Sequence, residues 1–204
     1  MHGRDCIIRD SSYVDFAAMK AIFVTTNEHK RREVQTILGV ELEGAALGDR
    51  DVPEVQSLDF DEVSTAKALA AREALGRPDY PVLVEDSGLV VGAWNGLPGP
   101  LTKLFLSAVG NAGLLRMLAA EEDRSALAIC AVAVAEADGG VRVFRGEVTG
   151  EVAPEPRGKG GFGYDAIFVP DGGALTYAEL GYEKNADSHR ARAFRAVGEW
   201  LEKR

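Results

Sequence analysis

The sequence predicts an α/β fold: a mixed sheet with flanking helices. Three observations carry this. An apolar strand segment, Ala21-Ile22-Phe23-Val24-Thr25, runs straight into a segment of helical period. A long apolar run, Ala126 to Ala135, turns at Asp138-Gly139-Gly140 into the alternating Val141-Arg142-Val143-Phe144, which reads as an antiparallel pair beside the first strands. Phe194, Val197 and Leu201 form the buried stripe of a last helix.

At 204 residues one domain is expected, and 46% apolar with 27% charged residues suits an ordinary globule with a sizeable core. The formal charge of −9 argues against a nucleic-acid polymer as partner, which requires a basic surface; a small polyphosphate needs only a few local cations and a metal. Cys6 and Cys130 lie far apart without CxxC spacing, so neither a disulfide framework nor a zinc site is indicated, and a reducing, cytoplasmic setting is expected. No apolar run has the length of a membrane span. The first twenty residues lack the sustained apolar core of a signal peptide; residues 1–18 are read as an extension and 19–204 as the domain.

Taken in order, Thr26-Asn27 caps a helix that begins at Glu28-His29-Lys30, carries Val34, Ile37 and Leu38 inward, and stops at Gly39. Lys30 therefore lies beside the free amides of a helix start, an arrangement that suits an anion; spacing alone favours an ordinary surface lysine after a cap. Val40 to Leu58 is irregular, with one short strand at most. A second helix starts at Asp59-Phe60-Asp61-Glu62 and runs to Leu75. Asp59 and Glu62 have capping-box spacing, so Glu62 is either a cap or a carboxylate aimed at a metal. Val82-Leu83-Val84 is a short buried strand that ends in Glu85-Asp86-Ser87-Gly88. Acids at such a strand end are hard oxygen ligands suited to Mg²⁺ bound with phosphates, or else a solvated turn.

Pro100 leads into a helix broken at Asn111-Ala112-Gly113, and Leu114, Leu115 and Leu118 mark the next. Pro154 to Gly161 is a loop running into Phe162-Gly163-Tyr164-Asp165 and the strand Ala166–Val169. Glycines around an aromatic let a flat ligand approach and Phe162 stack on it; the alternative is a turn with a core phenylalanine. Ser188 caps the last helix, whose first turn holds His189 and Arg190. Cations there oppose the helix dipole, a cost that an anion or a carbonyl-bearing ligand would offset.

The ordered set Thr25-Thr26-Asn27-Glu28-His29-Lys30, Glu62, Glu85-Asp86-Ser87-Gly88-Leu89, Asn95-Gly96-Leu97-Pro98-Gly99, Gly161-Phe162-Gly163-Tyr164-Asp165 and Ser188-His189-Arg190 resembles the Ham1-like inosine triphosphate pyrophosphatase family, also called non-canonical purine NTP or XTP/dITP pyrophosphatases. The resemblance covers residues 20–204 and implies an elongated, mixed, twisted sheet with flanking helices, in two lobes around a central active-site cleft. Three positions depart from the usual pattern: Thr26 replaces a glycine, Leu101 follows Pro100 where a tyrosine follows Pro-Gly, and Val63 replaces an asparagine.

The resemblance implies a Mg²⁺-dependent hydrolase that converts ITP, dITP and XTP to the monophosphate and pyrophosphate, and a homodimer. It assigns Asp86 and Lys30 to catalysis, Asp86 as proton acceptor, with Asp86, Glu62 and Glu85 on the metal. Thr25, Thr26, Asn27 and Lys30 would hold the phosphates, helped by Ser87. Phe162, Gly163, Tyr164 and Asp165 would form the base pocket, and Lys184, His189 and Arg190 would address the 6-oxo group of the base. The alternatives are a nucleotide-binding or sensing protein of the same fold with little turnover, and a pyrophosphatase for modified pyrimidine nucleotides. The intact Asp86, Glu62 and Lys30 weigh against the first and the two C-terminal motifs against the second.

Overall fold

The computed structural model describes residues 21–39, 52 and 55–203. The 1–18 extension and Cys6 lie outside the described residues; of the stretch from Val40 to Leu58, residue 52 and residues 55–58 are described and are irregular.

Among the described residues six strands form one mixed sheet: β1 (Ile22–Phe23), β2 (Val82–Val91), β3 (Pro98–Gly99), β4 (Ser125–Ala135), β5 (Val141–Val152) and β6 (Phe168–Pro170). The order is β1-β2-β4-β5-β6, with β3 added on β2. Only β1 and β2 run parallel; the other pairs are antiparallel. The helices are α1 (Glu28–Leu38), α2 (Phe60–Ala74), α3 (Thr102–Met117), α4 (Tyr177–Leu180) and α5 (His189–Leu201). This is the α/β class that the strand and helix pattern predicts.

The core separates along the long strands. α1 and α5 cover one face of the sheet with Val34, Leu38, Phe194 and Val197 against Leu83, Cys130, Val132 and Val134, and Phe23 meets Phe194 edge to face. α2 covers the opposite face through Ala68 and Ala71 over Val82, Val84, Ala133 and Ala135. The far ends of β2, β4 and β5 pack with β6, α3 and Tyr177 in a separate cluster that holds Leu89, Leu114, Ile167 and Phe168.

Four expectations are corrected. β2 does not end at its acids: Glu85 and Asp86 pair with Val132 and Ala131 of β4, and that long partner carries the strand on to Val91. The α3 segment is interrupted at Gly110, one residue before the expected break. The strand expected at Ala166–Val169 is only Phe168–Pro170, because Ala166 and Ile167 belong to the turn that follows Tyr164. The capping box at α2 is half formed: Asp59 accepts from the Asp61 and Glu62 amides, while its own amide donates to Ser57 Oγ rather than to Glu62.

Candidate active site

The site begins with a gap. β1 pairs with β2 only at Val82 and Leu83, and β3 only at Leu89 and Val90, on the edge of β2 opposite β4. Between them Glu85, Asp86, Ser87 and Gly88 have no strand partner on that edge among the described residues. β1 is short because the chain leaves it at Val24, whose amide still reaches Leu83, to enter α1. The gap is thus set by the strand-to-helix turn, and a cavity of about 1210 Å³ opens onto it. Gly88 closes the gap at its far end: a Cβ there would collide with the Gly99 carbonyl. Thr102 holds that close approach, accepting from the Leu89 amide (2.9 Å) and donating to Gly99 O (2.6 Å).

α1 aims its N-terminus at the cavity. Asn27 is the N-cap, and its Oδ1 accepts from the His29 and Lys30 amides; Thr25 Oγ1 in turn accepts from the Asn27 amide at 3.2 Å. Thr25, Thr26, Asn27 and Lys30 all line the cavity, as do Glu85, Asp86 and Ser87.

Successive strand residues face opposite ways, and the two acids therefore differ. Glu85 faces α1 and α5. Its carboxylate accepts from Arg190 Nε (2.8 Å) and Nη2 (3.0 Å) and pairs with Lys30 Nζ at 2.8 Å. Burial alone would push this carboxyl up; Arg190 and Lys30 overcome that and hold it well below the usual carboxylate range. Asp86 looks to the α2 side, where Lys67 also reaches the cavity wall.

From Glu85 a chain of buried ion pairs runs to the glycine-rich loop. Arg190 Nη1 pairs with Glu33, whose other oxygen accepts from Lys184 Nζ at 2.7 Å. Lys184 also pairs with Asp165 at 2.6 Å, and Asp165 Oδ2 accepts the Phe162 amide at 2.8 Å. Burial nevertheless pushes the Asp165 carboxyl up against the pull of Lys184. Gly161, at φ +70°, supplies the close turn, since a side chain there would strike the Asp165 carboxylate. The loop presents Phe162, Gly163 and Tyr164 to the cavity, with Lys184 Nζ and Arg190 Cζ each 5.5 Å from the Phe162 ring centroid.

Tyr164 donates its hydroxyl proton to Gly88 O (3.3 Å) and contacts His189 Nε2 at 3.1 Å. A phenol has one proton, so a neutral imidazole donates Nε2–H to that oxygen. Burial, with Arg190 and Lys184 nearby, holds the His189 pKa well below its ordinary value, which keeps the ring neutral.

The structure thus brings Thr25, Thr26, Asn27, Lys30, Glu85, Asp86, Ser87, Phe162, Gly163 and Tyr164 into the lining of one cavity. Asp165, Lys184, His189 and Arg190 are buried behind it. Glu62 is off the wall and accepts from Ser57 Oγ at 2.5 Å. Two residues escaped sequence reading. Glu33 looks like a surface residue of α1, and only its i+3 spacing from Lys30 puts it on the Lys30 side of the helix. Lys67 is one of many polar residues on α2 and carries no local signal.

Among the described residues no group of three or more acidic, histidine or cysteine side chains forms a metal cage. Mg²⁺ does not require one: it commonly takes one or two carboxylates together with substrate phosphates. Asp86 on the cavity wall fits that pattern. Glu85 does not, because both of its oxygens are engaged by cations.

A strand-edge gap with an acid, a helix N-terminus with a lysine and an aromatic on a glycine-rich loop, all on one cavity, define a pocket for a phosphorylated aromatic ligand. The Ham1 family model matches residues 21–200, and the chain belongs to that family. It is 43% identical to the dITP/XTP pyrophosphatase of Methanopyrus kandleri over 186 residues, 89% of this chain and 96% of that one. It is 44% identical to the inosine triphosphate pyrophosphatase of Tuber melanosporum over 185 residues, 88% of this chain and 95% of the other. Among solved structures, the Staphylococcus aureus Ham1 protein superposes with a TM-score of 0.76 at 32% identity, covering 90% of this chain and 98% of that one.

Proposed function

We propose that this protein hydrolyses non-canonical purine nucleoside triphosphates, ITP, dITP and XTP, to the monophosphate and pyrophosphate. The observation that carries the reading is the single cavity lined by Asp86, Lys30 and Phe162 together. The pyrophosphatase names of the relatives support it from outside the structure.

Lys30, Thr25, Thr26 and Asn27 bind the phosphates at the start of α1, where backbone amides and the helix dipole favour an anion. Ser87 donates to a phosphate oxygen. Asp86 takes the proton of the attacking water. Mg²⁺ held by Asp86, with Glu62 as the second carboxylate, would neutralise phosphate charge and acidify the water. Glu85 acts otherwise, fixing the Lys30 ammonium and the Arg190 guanidinium. Phe162 stacks on the base between Gly163 and Tyr164, and Asp165 holds that loop. Lys184, His189 and Arg190 are buried behind the loop and already paired in the structure, and would address the base by turning toward it, as a donor set that favours a 6-oxo acceptor over the 6-amino group of adenine. A cytoplasmic setting belongs to this proposal and rests on the two widely spaced cysteines. Among the described residues no helix is long and apolar enough to cross a membrane. A homodimer accords with the exposed apolar residues Leu104, Val109 and Met117 on α3, and light scattering measures it.

The test is pyrophosphate release from ITP beside ATP and GTP, with and without Mg²⁺, on wild type and Asp86→Asn. Metal-dependent release that favours ITP and is lost in the variant is the expected result. Equal use of ATP would remove the base-pocket assignment, and tight ITP binding without release would make the protein a sensor.

A further inference from the structure

His29 is the second residue of α1 and is exposed, yet its imidazole lies flat against the Phe162 ring, with centroids 5.2 Å apart and planes 20° from parallel. Two cations also lie against that ring, Lys184 and Arg190, both nearly fully buried and fixed by Glu33, Asp165 and Glu85. Of these three partners His29 is the exposed one. A purine between the two rings would need them about 7 Å apart, twice the contact distance of carbon atoms. At 5.2 Å there is no room for one.

We infer that His29 is a gate over the base-stacking ring: in the free protein its imidazole holds the place on Phe162 that the purine of a bound nucleotide takes. The inference rests on the purine-nucleotide reading above and extends it to a residue outside the family motif roles. The gate opens by side-chain rotation. The His29 amide is tied to Asn27 Oδ1 at 3.0 Å, so the backbone stays in the helix cap while χ1 moves between staggered wells. The adjacent Lys30 faces the phosphates from the same helical turn, so a base-bearing ligand meets both residues and a bare polyphosphate meets only Lys30. The gate sets a threshold: a ligand enters the base pocket only if its base gains more on Phe162 than the imidazole does.

Three histidines make this directly observable by NMR, with His29→Gln identifying the His29 ring signals. In the free protein these carry a ring-current shift from Phe162 that Phe162→Leu removes. Saturating inosine monophosphate moves them to the Phe162→Leu position, whereas saturating tripolyphosphate leaves them in place. His29→Ala binds inosine monophosphate about two- to tenfold tighter, the size of one aromatic pair, with tripolyphosphate affinity unchanged. His29 signals that stay put under saturating inosine monophosphate overturn the gate. So does weaker binding by His29→Ala, which would make the imidazole a second wall. ITP turnover by the wild type separates the two levels. Turnover with an unmoved His29 removes the gate alone, and a wild type that neither turns over ITP nor binds inosine monophosphate removes the gate and the purine reading together.

Discussion

The two ends of the cavity are built by different means. At the α1 end the groups come from one short stretch: Thr25, Asn27 and Lys30 belong to one strand-to-helix turn, each capping bond joins near neighbours, and only the Lys30 ammonium reaches out, to Glu85. At the glycine-loop end no group stands alone. Phe162 is fixed by Asp165, Asp165 by Lys184, Lys184 by Glu33 and Glu33 by Arg190, a set drawn from α1, the loop and the C-terminal helices. The first end is local geometry, stiff because a cap and a helix start are stiff. The second is held by charges that must all be present together. Burying ions is costly, and removing one partner leaves the other uncompensated. Damage at the α1 end should therefore appear in chemistry, and damage to the ion chain in stability.

The largest expected effect is on chemistry. Asp86→Asn should lower pyrophosphate release from ITP by about 10²- to 10⁴-fold, the usual weight of a positioned proton acceptor, with its thermal midpoint close to wild type. An equal fall in stability would mean that Asp86 belongs to the ion chain after all.

Glu85→Gln should do the reverse. It strips Arg190 and Lys30 of their shared anion and should cost about 3–5 kcal/mol in urea unfolding. The pH dependence follows from the depressed carboxyl. Above the ordinary pKa of 4.5 its stabilisation is complete, and it is lost as pH falls below that value, because the unfolded chain takes up the proton first. The neutral, buried His189 has the same sign from a higher start: stability falls below its ordinary pKa of 6.5 as the unfolded imidazole charges. Wild type should lose stability in two stages on acidification, and Glu85→Gln should lose distinctly less in the second, where Asp123 and Asp187, both exposed, leave a smaller loss of the same sign. A single stage in both proteins would remove the role given to Glu85.

Phe162→Leu sharpens the comparison from the ligand side. Base stacking on an aromatic is worth about 1–3 kcal/mol, so KM for ITP should rise roughly five- to 150-fold. The tripolyphosphate affinity of the α1 end should not move. If both ligands weaken together, the two ends are one unit.

The same contrast decides what was legible in the sequence. The Asn27 cap, Lys30 in the first turn, Gly39 at the stop and the Ser188 cap are local, and each is read from a few adjacent residues. The α/β class follows from period and turn chemistry. What escaped depends on partners distant in sequence. β2 runs through its acids because β4 pairs with it, and nothing in Val82–Gly88 announces that. Glu33 pairs with an arginine 157 positions away, and Glu85 with the same arginine 105 positions away. An acid bound for burial between two cations has the same local signature as one bound for a metal; strand alternation says that Glu85 and Asp86 face opposite ways, but only the partners Arg190 and Lys30 say which is which.

The smallest effect tests whether burial, rather than the number of partners, is what matters. Arg145 contacts as many acids as Arg190 has ion-pair or hydrogen-bond neighbours: Asp61 at 2.6 Å, Asp59 at 3.5 Å and Glu147 at 3.9 Å. It reaches across to the first turn of α2 much as Arg190 reaches across to β2. The difference is water: the Arg145 side chain is 39% exposed and that of Arg190 2%. Exposed pairs are screened and lose side-chain entropy, so Arg145→Ala should cost under about 1 kcal/mol, with the remaining difference shrinking in added salt. Glu85→Gln, by contrast, should hold its deficit in the same salt. A loss of several kcal/mol at Arg145 would show that a fan of acids binds a cation strongly even in solvent, and the energetic division between the two ends of the cavity would then rest on geometry rather than on burial.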